Sequence, residues 1–181
     1  GANSYSGGTR IEAGIVRISS DANLGAAGGA LTLAGGTLNS AADVASGRAV
    51  ALSGLGRFLT DNDTTLTLTG QLSGAGALLK AGTGTLVLAG IGSHGGGTSV
   101  DAGTLLVNGD FSGASGATSV GSGATLGGTG RIGGDVSLAD GAILAPGAGG
   151  AGTLTIGGDL SLAEGASLAF ELGQANVAGG A

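Results

Sequence analysis

The chain has 181 residues, of which 44 are glycine, one is proline and none is cysteine. So little proline excludes a collagen triple helix, which needs glycine at every third position and frequent proline, and the absence of cysteine excludes a disulfide framework. The formal charge of −6, with six scattered cations, excludes the basic patch that binds nucleic acid, and the low charged fraction of 10% argues against simple disorder.

Apolar residues are numerous but small. Tryptophan and methionine are absent, and the aromatic residues are Tyr5, Phe58, Phe111 and Phe170. A globular core of large interlocking side chains is hard to build from Ala, Leu and Val alone. We therefore expect a thin core, one or two side chains deep.

Short alternating segments closed by glycine follow one another along the chain. Each has apolar residues at positions i and i+2 with a polar residue between, which predicts a strand with one buried face. Clear examples are residues 31–33, 66–68, 86–88, 154–156 and 160–162. Pairs such as Gly-Gly, Asp-Gly and Asn-Gly separate the strands and predict turns. No segment has a sustained helical period, and each glycine inside a helix would cost about 1 kcal/mol.

Two internal repeats set the period. Residues 128–142 recur as 152–166, an offset of 24 residues, and residues 6–14 recur as 95–103, an offset of 89, close to four units of about 22. A period carrying several short strands is typical of one coil of a solenoid. The prediction is an all-β, parallel β-helix of about eight rungs of 22–24 residues, as a single fragment over 1–181. A β-sandwich is the competing fold, but it favours aromatic core residues and longer strands.

One stretch resembles a known bacterial repeat. Residues 72–90 contain Leu-Leu-Lys-Ala-Gly-Thr-Gly-Thr-Leu-Val-Leu-Ala-Gly, and residues 96–105 follow with Gly-Gly-Thr-Ser-Val-Asp-Ala-Gly-Thr-Leu. This is similar to the passenger-associated transport repeat of bacterial autotransporters (type V secretion). Residues 3–9, Asn-Ser-Tyr-Ser-Gly-Gly-Thr, resemble the second half of an earlier copy.

The resemblance is stricter in 3–38 and 66–109 than in 110–130, and it has departures. His94 stands where the repeat has Tyr, Gly92 where it has Asn, and Ile15 where Thr usually follows the glycine. These differences leave the period undisturbed.

The resemblance implies a right-handed β-helix that is part of a passenger domain, displayed on the bacterial surface or secreted. Its implied partner is the passenger's own C-terminal outer-membrane barrel, expected outside this fragment. Residues 1–109 are then two repeat copies with connecting rungs, and 110–181 are further rungs carrying the 24-residue repeat. Residue 1 opens inside a Gly-Ser-rich turn without a secretory signal, so we expect an excised fragment.

Three functions are compared. The leading one is a structural stalk that aids export and holds an adhesive or effector region away from the outer membrane. The alternative is an adhesin or self-association module that binds a host surface or identical passengers. An enzyme such as a β-helical lyase needs acidic calcium ligands and a basic proton acceptor in one groove, so we expect no catalytic, cofactor-binding or metal-binding residue and no cofactor.

Individual candidates support this expectation. His94 is the only histidine, and we expect it to be a surface turn residue, since no Gly-x-Ser-x-Gly elbow accompanies it. The cluster 61–63, Asp-Asn-Asp, lacks calcium-loop spacing and predicts a solvated turn. Asp135 and Asp159 are expected to cap turns rather than bind a cation.

Two further patterns carry little weight. The Gly-x-Gly-x-x-Gly runs at 128–133 and 147–152 do not open a predicted helix, which dinucleotide binding requires. Thr65, Thr67 and Thr69 are predicted to share the outward face, but too few similar rows follow for an ice-binding array.

Overall fold

The computed structural model describes residues 1–147 and 149–171. Within these ranges the chain forms 22 short strands and one 3-10 turn, Asp21–Leu24, and every pairing between the named strands is parallel. The strands stack into three faces of a solenoid.

The strands are numbered in chain order. Face 1 contains β1 (Thr9–Ile11), β3 (Leu31–Leu33), β6 (Val50–Leu52), β9 (Leu72–Ser73), β14 (Asp110–Phe111), β17 (Arg131–Ile132) and β20 (Thr155–Ile156). Face 2 contains β2 (Ile15–Ile18), β4 (Thr37–Ser40), β7 (Gly56–Thr60), β10 (Leu78–Ala81), β12 (Thr98–Val100), β15 (Thr118–Val120), β18 (Val136–Leu138) and β21 (Leu160–Leu162). Face 3 contains β5 (Val44–Ser46), β8 (Thr65–Leu68), β11 (Thr85–Leu88), β13 (Thr104–Val107), β16 (Thr125–Gly128), β19 (Ile143–Pro146) and β22 (Ser167–Leu168).

The chain passes from face 1 to face 2 to face 3 in each rung and then begins the next. The 3-10 turn takes the place of face 3 in the first rung, next to β5. In the fifth rung the segment 91–92 continues face 1 through isolated bridges, Leu72 with Gly92 and Ile91 with Asp110. Eight rungs at about 4.8 Å spacing give a stack roughly 35 Å long.

The predicted parallel solenoid of about eight rungs is confirmed, while its right-handed sense stays a prediction. The 24-residue repeat is also confirmed as one rung, because Val136 lies opposite Leu160. Other rungs are shorter than the predicted 22–24 residues. Val136, for example, lies opposite Thr118, an interval of 18 residues. The 18-residue rung has short, glycine-rich turns at 121–124, 129–130 and 133–135, and glycine allows the chain to reverse in few residues.

The interpretation of the 89-residue offset as four whole units was wrong. Thr9 belongs to β1 on face 1, whereas its repeat equivalent Thr98 belongs to β12 on face 2. The two repeat copies are therefore separated by four rungs and one additional face. The reason is that the rungs differ in length. Four rungs do not add up to 89 residues, so the second copy begins one face further along.

The core is a set of side-chain columns that run along the inside of the stack. On face 3 one column places a buried leucine at the same register position in five successive strands: Leu66, Leu86, Leu105, Leu126 and Leu144. Burying each leucine stabilises the fold by about 1.5–3 kcal/mol. The buried columns belong to one continuous apolar cluster that runs from Ile11 to Leu144.

Glycine forms two further columns at the corners. At the corner between faces 3 and 1, a Cβ on Gly90, Gly109 or Gly130 would collide with the backbone carbonyl of the glycine one rung below. At the corner between faces 1 and 2, a second column starts at Gly54, and a Cβ on Gly76, Gly96, Gly116 or Gly134 would collide with the glycine one rung below. Close backbone approach at the corners, in addition to turn formation, explains much of the high glycine content.

Candidate functional site

Arg48 is a charged side chain buried at the N-terminal end of the stack, with 3% of its surface exposed. Its Nε and Nη2 donate to the two carboxylate oxygens of Asp21 at 2.8 and 3.0 Å. Its Nη atoms also donate to the carbonyls of Gly25, Ala26 and Gly29 at 2.6–2.9 Å. One guanidinium thus fixes the loop that replaces a face 3 strand in the first rung.

Asp21 is held as a carboxylate by this contact. Its partial burial disfavours the charged form, but hydrogen bonds from Arg48 and Ser46 outweigh that effect and lower its pKa. The pair fastens two successive rungs together.

Lys80 occupies an inward position of face 2 in register with Phe58 and Val100, and its surface is fully buried. The ammonium donates to three backbone carbonyls at the corner that follows, those of Ala81, Gly82 and Ala102, at 2.7–3.0 Å. Burial lowers the pKa of Lys80 to about 8. This lysine of the repeat acts as a corner cap that spans two rungs.

The expectation that His94 is a surface turn residue was wrong, because only 1% of its surface is exposed. Its Nε2 lies 3.0 Å from Oγ1 of Thr98, and its ring meets that of Phe111 edge-on at 6.3 Å between centroids. The equivalent Tyr5 places its hydroxyl 2.7 Å from Oγ1 of Thr9. The repeat therefore contains an aromatic–threonine clasp that folds the turn back onto the strand.

The acidic cluster 61–63 lies at a corner of face 2 and its first carboxylate is already bonded. Asp61 accepts from Asn39 at 2.8 Å and from Arg17 at 2.6 Å, and Arg17 also donates to Asn39. Hydrogen bonds from Asn39 and Arg17 lower the pKa of Asp61. Asp61 therefore helps to link the side chains of three successive rungs.

Asx residues at the corners bond to the next rung. Oδ1 of Asp135 accepts the N–H of Asp159 at 2.8 Å. Asp43 does the same for Thr65 at 2.7 Å, and Asn108 for Thr129 at 3.2 Å. Asp135 therefore joins successive rungs, and the expectation that Asp135 and Asp159 cap their own turns stays a prediction.

Two outward columns of hydroxyls run along the rod. Ser99, Ser119, Ser137 and Ser161 are in register on face 2. A shallow hollow passes beside the first three of these serines. Thr65, Thr85, Thr104 and Thr125 are in register on face 3, but the next outward column there changes from Thr67 to Val87, Leu106 and Gly127. Paired threonine rows of the kind that ice binding needs are thus absent from the described part of face 3.

The remaining sequence candidates do not form a site. The glycine run at 128–133 lies at the end of β16 and through β17. The run at 147–152 includes position 148, which lies outside the described residues. Among residues 1–147 and 149–171, no group of three or more His, Asp or Glu residues is arranged to hold a metal. No helix in the same ranges is both long and apolar enough to cross a membrane.

Comparison with known proteins agrees with this geometry. The family model described as passenger-associated-transport-repeat matches residues 1–18 and 78–107. An autotransporter described as adhesin BmaC, from Brucella suis biovar 1 (strain 1330), is 47% identical over 146 residues, which is 76% of this chain and 4% of the relative. No solved structure matches. The second matched segment contains the Lys80 cap and the His94 clasp.

Proposed function

Because the chain is a section of a bacterial autotransporter passenger with passenger-associated transport repeats, we propose that it is a rigid, non-catalytic stalk segment. The passenger lies on the cell surface or is secreted. The stalk would hold an adhesive or effector region elsewhere in the parent chain away from the outer membrane.

The observation that carries the proposal is the continuity of the stack. Inward leucines, corner glycines and polar struts all join one rung to the next, so stabilising contacts lie along the rod axis. A stack joined this way resists bending because every rung is held on three faces. Two outward columns carry serine and threonine hydroxyls, and no outward column in the described strands is aromatic or charged throughout.

The same geometry suggests how the segment assists export. Each emerging rung finds the backbone hydrogen-bonding groups and apolar columns of the preceding rung already in place, and nearest-neighbour stacking releases folding free energy on the outer side. The absence of cysteine means that no disulfide crosslinks the unfolded chain during passage. The partner proposed for this step is the parent chain's own C-terminal outer-membrane barrel.

Export of the parent passenger tests the proposal. We expect Leu86→Asp with Leu105→Asp, which charges the inner column, to reduce surface display several-fold, because the rungs can no longer stack. The matched control, Ser119→Asp with Ser137→Asp, adds the same charge on the outward face and should preserve display. Antibody labelling of intact cells, with total passenger measured on blots, gives the comparison. Equal display of both variants would contradict the stalk proposal.

An adhesive role for this section is the second candidate, favoured by the name of the Brucella relative. The partner would be a host surface or an identical passenger. Beads coated with the 181-residue chain distinguish the two roles. If the segment is only a stalk, the coated beads should adhere to host cells and to one another no more than beads coated with an unrelated β-solenoid. Binding above that level would favour adhesion.

A further inference from the structure

A small, partly open cavity of about 20 Å³ lies inside the fifth and sixth rungs beside His94. Its lining comes from all three faces and includes Leu105 and Val107 from β13, Phe111 from β14, and Thr118 from β15. The volume is about that of one water molecule. The imidazole therefore forms part of the inner wall of the rod.

The two ring nitrogens of His94 have different surroundings. Nε2 is 3.0 Å from the hydroxyl of Thr98, whereas Nδ1 is buried without a hydrogen-bond partner. A neutral imidazole tolerates this arrangement, because a ring nitrogen without a proton needs no acceptor. An imidazolium carries a proton on both nitrogens, and its buried Nδ1–H would have no acceptor among the described side chains and backbone groups.

Charged groups on the surrounding elements do not reach the cavity. Asp110 on β14 is exposed and accepts the N–H of Ser112, and Arg131 lies opposite it on β17, also exposed. Asp101, after β12, accepts from the hydroxyl of Ser99, and the ammonium of Lys80 on β10 points to corner carbonyls. The described parts of β11, β13 and β15 contain no titratable side chain. Protonated His94 would have no anion to pair with.

We propose that His94 makes the fifth rung an acid-responsive joint in the stalk. With a neutral ring the clasp with Thr98 is closed and the imidazole stays in the inner wall. On protonation the ring leaves the cavity for water, the turn at 93–97 loosens, and the edges of the neighbouring strands become accessible. The Tyr5–Thr9 clasp contains no imidazole and stays closed.

The sign of the pH dependence follows from the native state. Burial lowers the pKa of His94, so the unfolded or opened chain binds more protons at mildly acidic pH. The contribution to stability is complete above the unfolded value of about 6.5 and is lost as the pH falls below it. The responsive range is therefore that of mildly acidic surroundings.

Two measurements on the 181-residue chain test the joint. His94 is the only histidine, so the imidazole signals in a nitrogen-detected NMR titration belong to it alone. Hydrogen exchange read by mass spectrometry at pH 7.5 and 5.0, corrected for intrinsic rates, locates the opening. We expect peptides within 88–118 to lose about ten-fold in protection at pH 5.0, the effect of leaving one buried donor unpaired, while peptides within 31–60 change little.

Variants separate protonation from general acid sensitivity. His94→Tyr restores the residue of the other copy and should abolish the pH-dependent loss, and His94→Gln keeps a polar side chain that does not titrate and should do the same. A native pKa at or above that of unfolded histidine would overturn the proposal. An equal loss of protection in either folded variant would also overturn it.

Discussion

Charged side chains inside this narrow tube are satisfied mainly by backbone carbonyls. Lys80 bonds to carbonyls of two rungs, and Arg48, which follows β5, bonds to carbonyls of the first-rung loop at 25–29, so each buried charge crosslinks neighbouring rungs. Breaking such a buried pair by removing one partner is strongly destabilising, because the other polar groups are left without partners.

Arg48→Met is therefore expected to lower the free energy of unfolding by about 3–5 kcal/mol, since the carboxylate of Asp21 and three loop carbonyls lose their donor. Urea melts followed by circular dichroism provide the measurement. Arg57→Met, at an exposed position on face 2, is the matched control and should change stability by less than about 0.5 kcal/mol. If the two variants lost the same stability, the anchoring role of Arg48 would be disproved.

Lys80 predicts an unusual alkaline response. Its native pKa of about 8 lies below the ordinary 10.5, so between these values the unfolded chain binds more protons and the native chain becomes more stable as the pH rises. We expect a gain of about 1 kcal/mol or less per pH unit across this window, and none from Lys80 below pH 8. Thermal melts at pH 7.5, 8.5 and 9.5 measure the trend. The trend should be absent in Lys80→Met; if it persisted there, another group would be responsible.

The buried polar residues were the part that sequence reasoning missed. Alternation places Lys80 inward together with Leu78, but an ionic side chain in a short strand is normally assigned to solvent. His94 was misassigned because its Gly-rich surroundings resemble an exposed turn. A signal was available in the four-residue spacing that Tyr5–Thr9 and His94–Thr98 share. Arg48 gave no comparable signal, because its partner Asp21 is 27 residues away.

At the scale of the element, corners determine how closely rungs stack. Strands here are only two to five residues long, so the backbone of each turn must stack directly on the turn of the rung below. The glycine columns permit this close approach, and the Asx and lysine contacts satisfy polar groups that the turns leave free.

Gly109→Ala tests the corner column. A Cβ at this position would overlap the carbonyl of Gly90, so the corner must move outward and separate strands on two faces. We expect a loss of about 2 kcal/mol or more in the free energy of unfolding. Gly28→Ala, where a Cβ meets nothing within 4 Å, should be nearly neutral. Comparable losses at both positions would mean that conformational freedom, and not close approach, explains the glycine.

Strand positions were largely predictable from sequence, whereas rung boundaries were not. Alternating Leu-Thr-Leu patterns identify the inward columns because the side-chain period of a strand is two. The number of residues in each turn is set by backbone contacts between rungs, which no local pattern encodes. This is why rungs of 18 residues were missed.

The molecule as a whole is a one-dimensional stack in which each rung contacts its neighbours. Stability in such an array is approximately a sum of rung and interface contributions, and whole units can be removed without disturbing the rest. The strands β12 and β15 have the same sequence, Thr-Ser-Val, and lie in register.

Deleting residues 98–117 tests this additivity, because it removes one full turn and joins Gly97 directly to the equivalent strand β15. The shortened chain should keep a cooperative melt, with a rod about 5 Å shorter in small-angle scattering. Deleting only 98–107 removes β12 and β13, two of the three strands of a turn, so it brings unlike faces into contact and should abolish the cooperative transition. Loss of cooperativity in both deletions would refute the additive description.

The displacement of the two repeat copies by one face has a consequence for how the rod presents itself. Arg10 in the first copy and Ser99 in the second occupy equivalent repeat positions, yet they point in directions a third of a turn apart. Equivalent outward side chains of the two copies thus face different directions around the axis. A flat surface that approaches from one side therefore meets only one copy. If the same interval continued along a passenger, every third copy would face the same way, so the repeats would trace a long-pitch spiral.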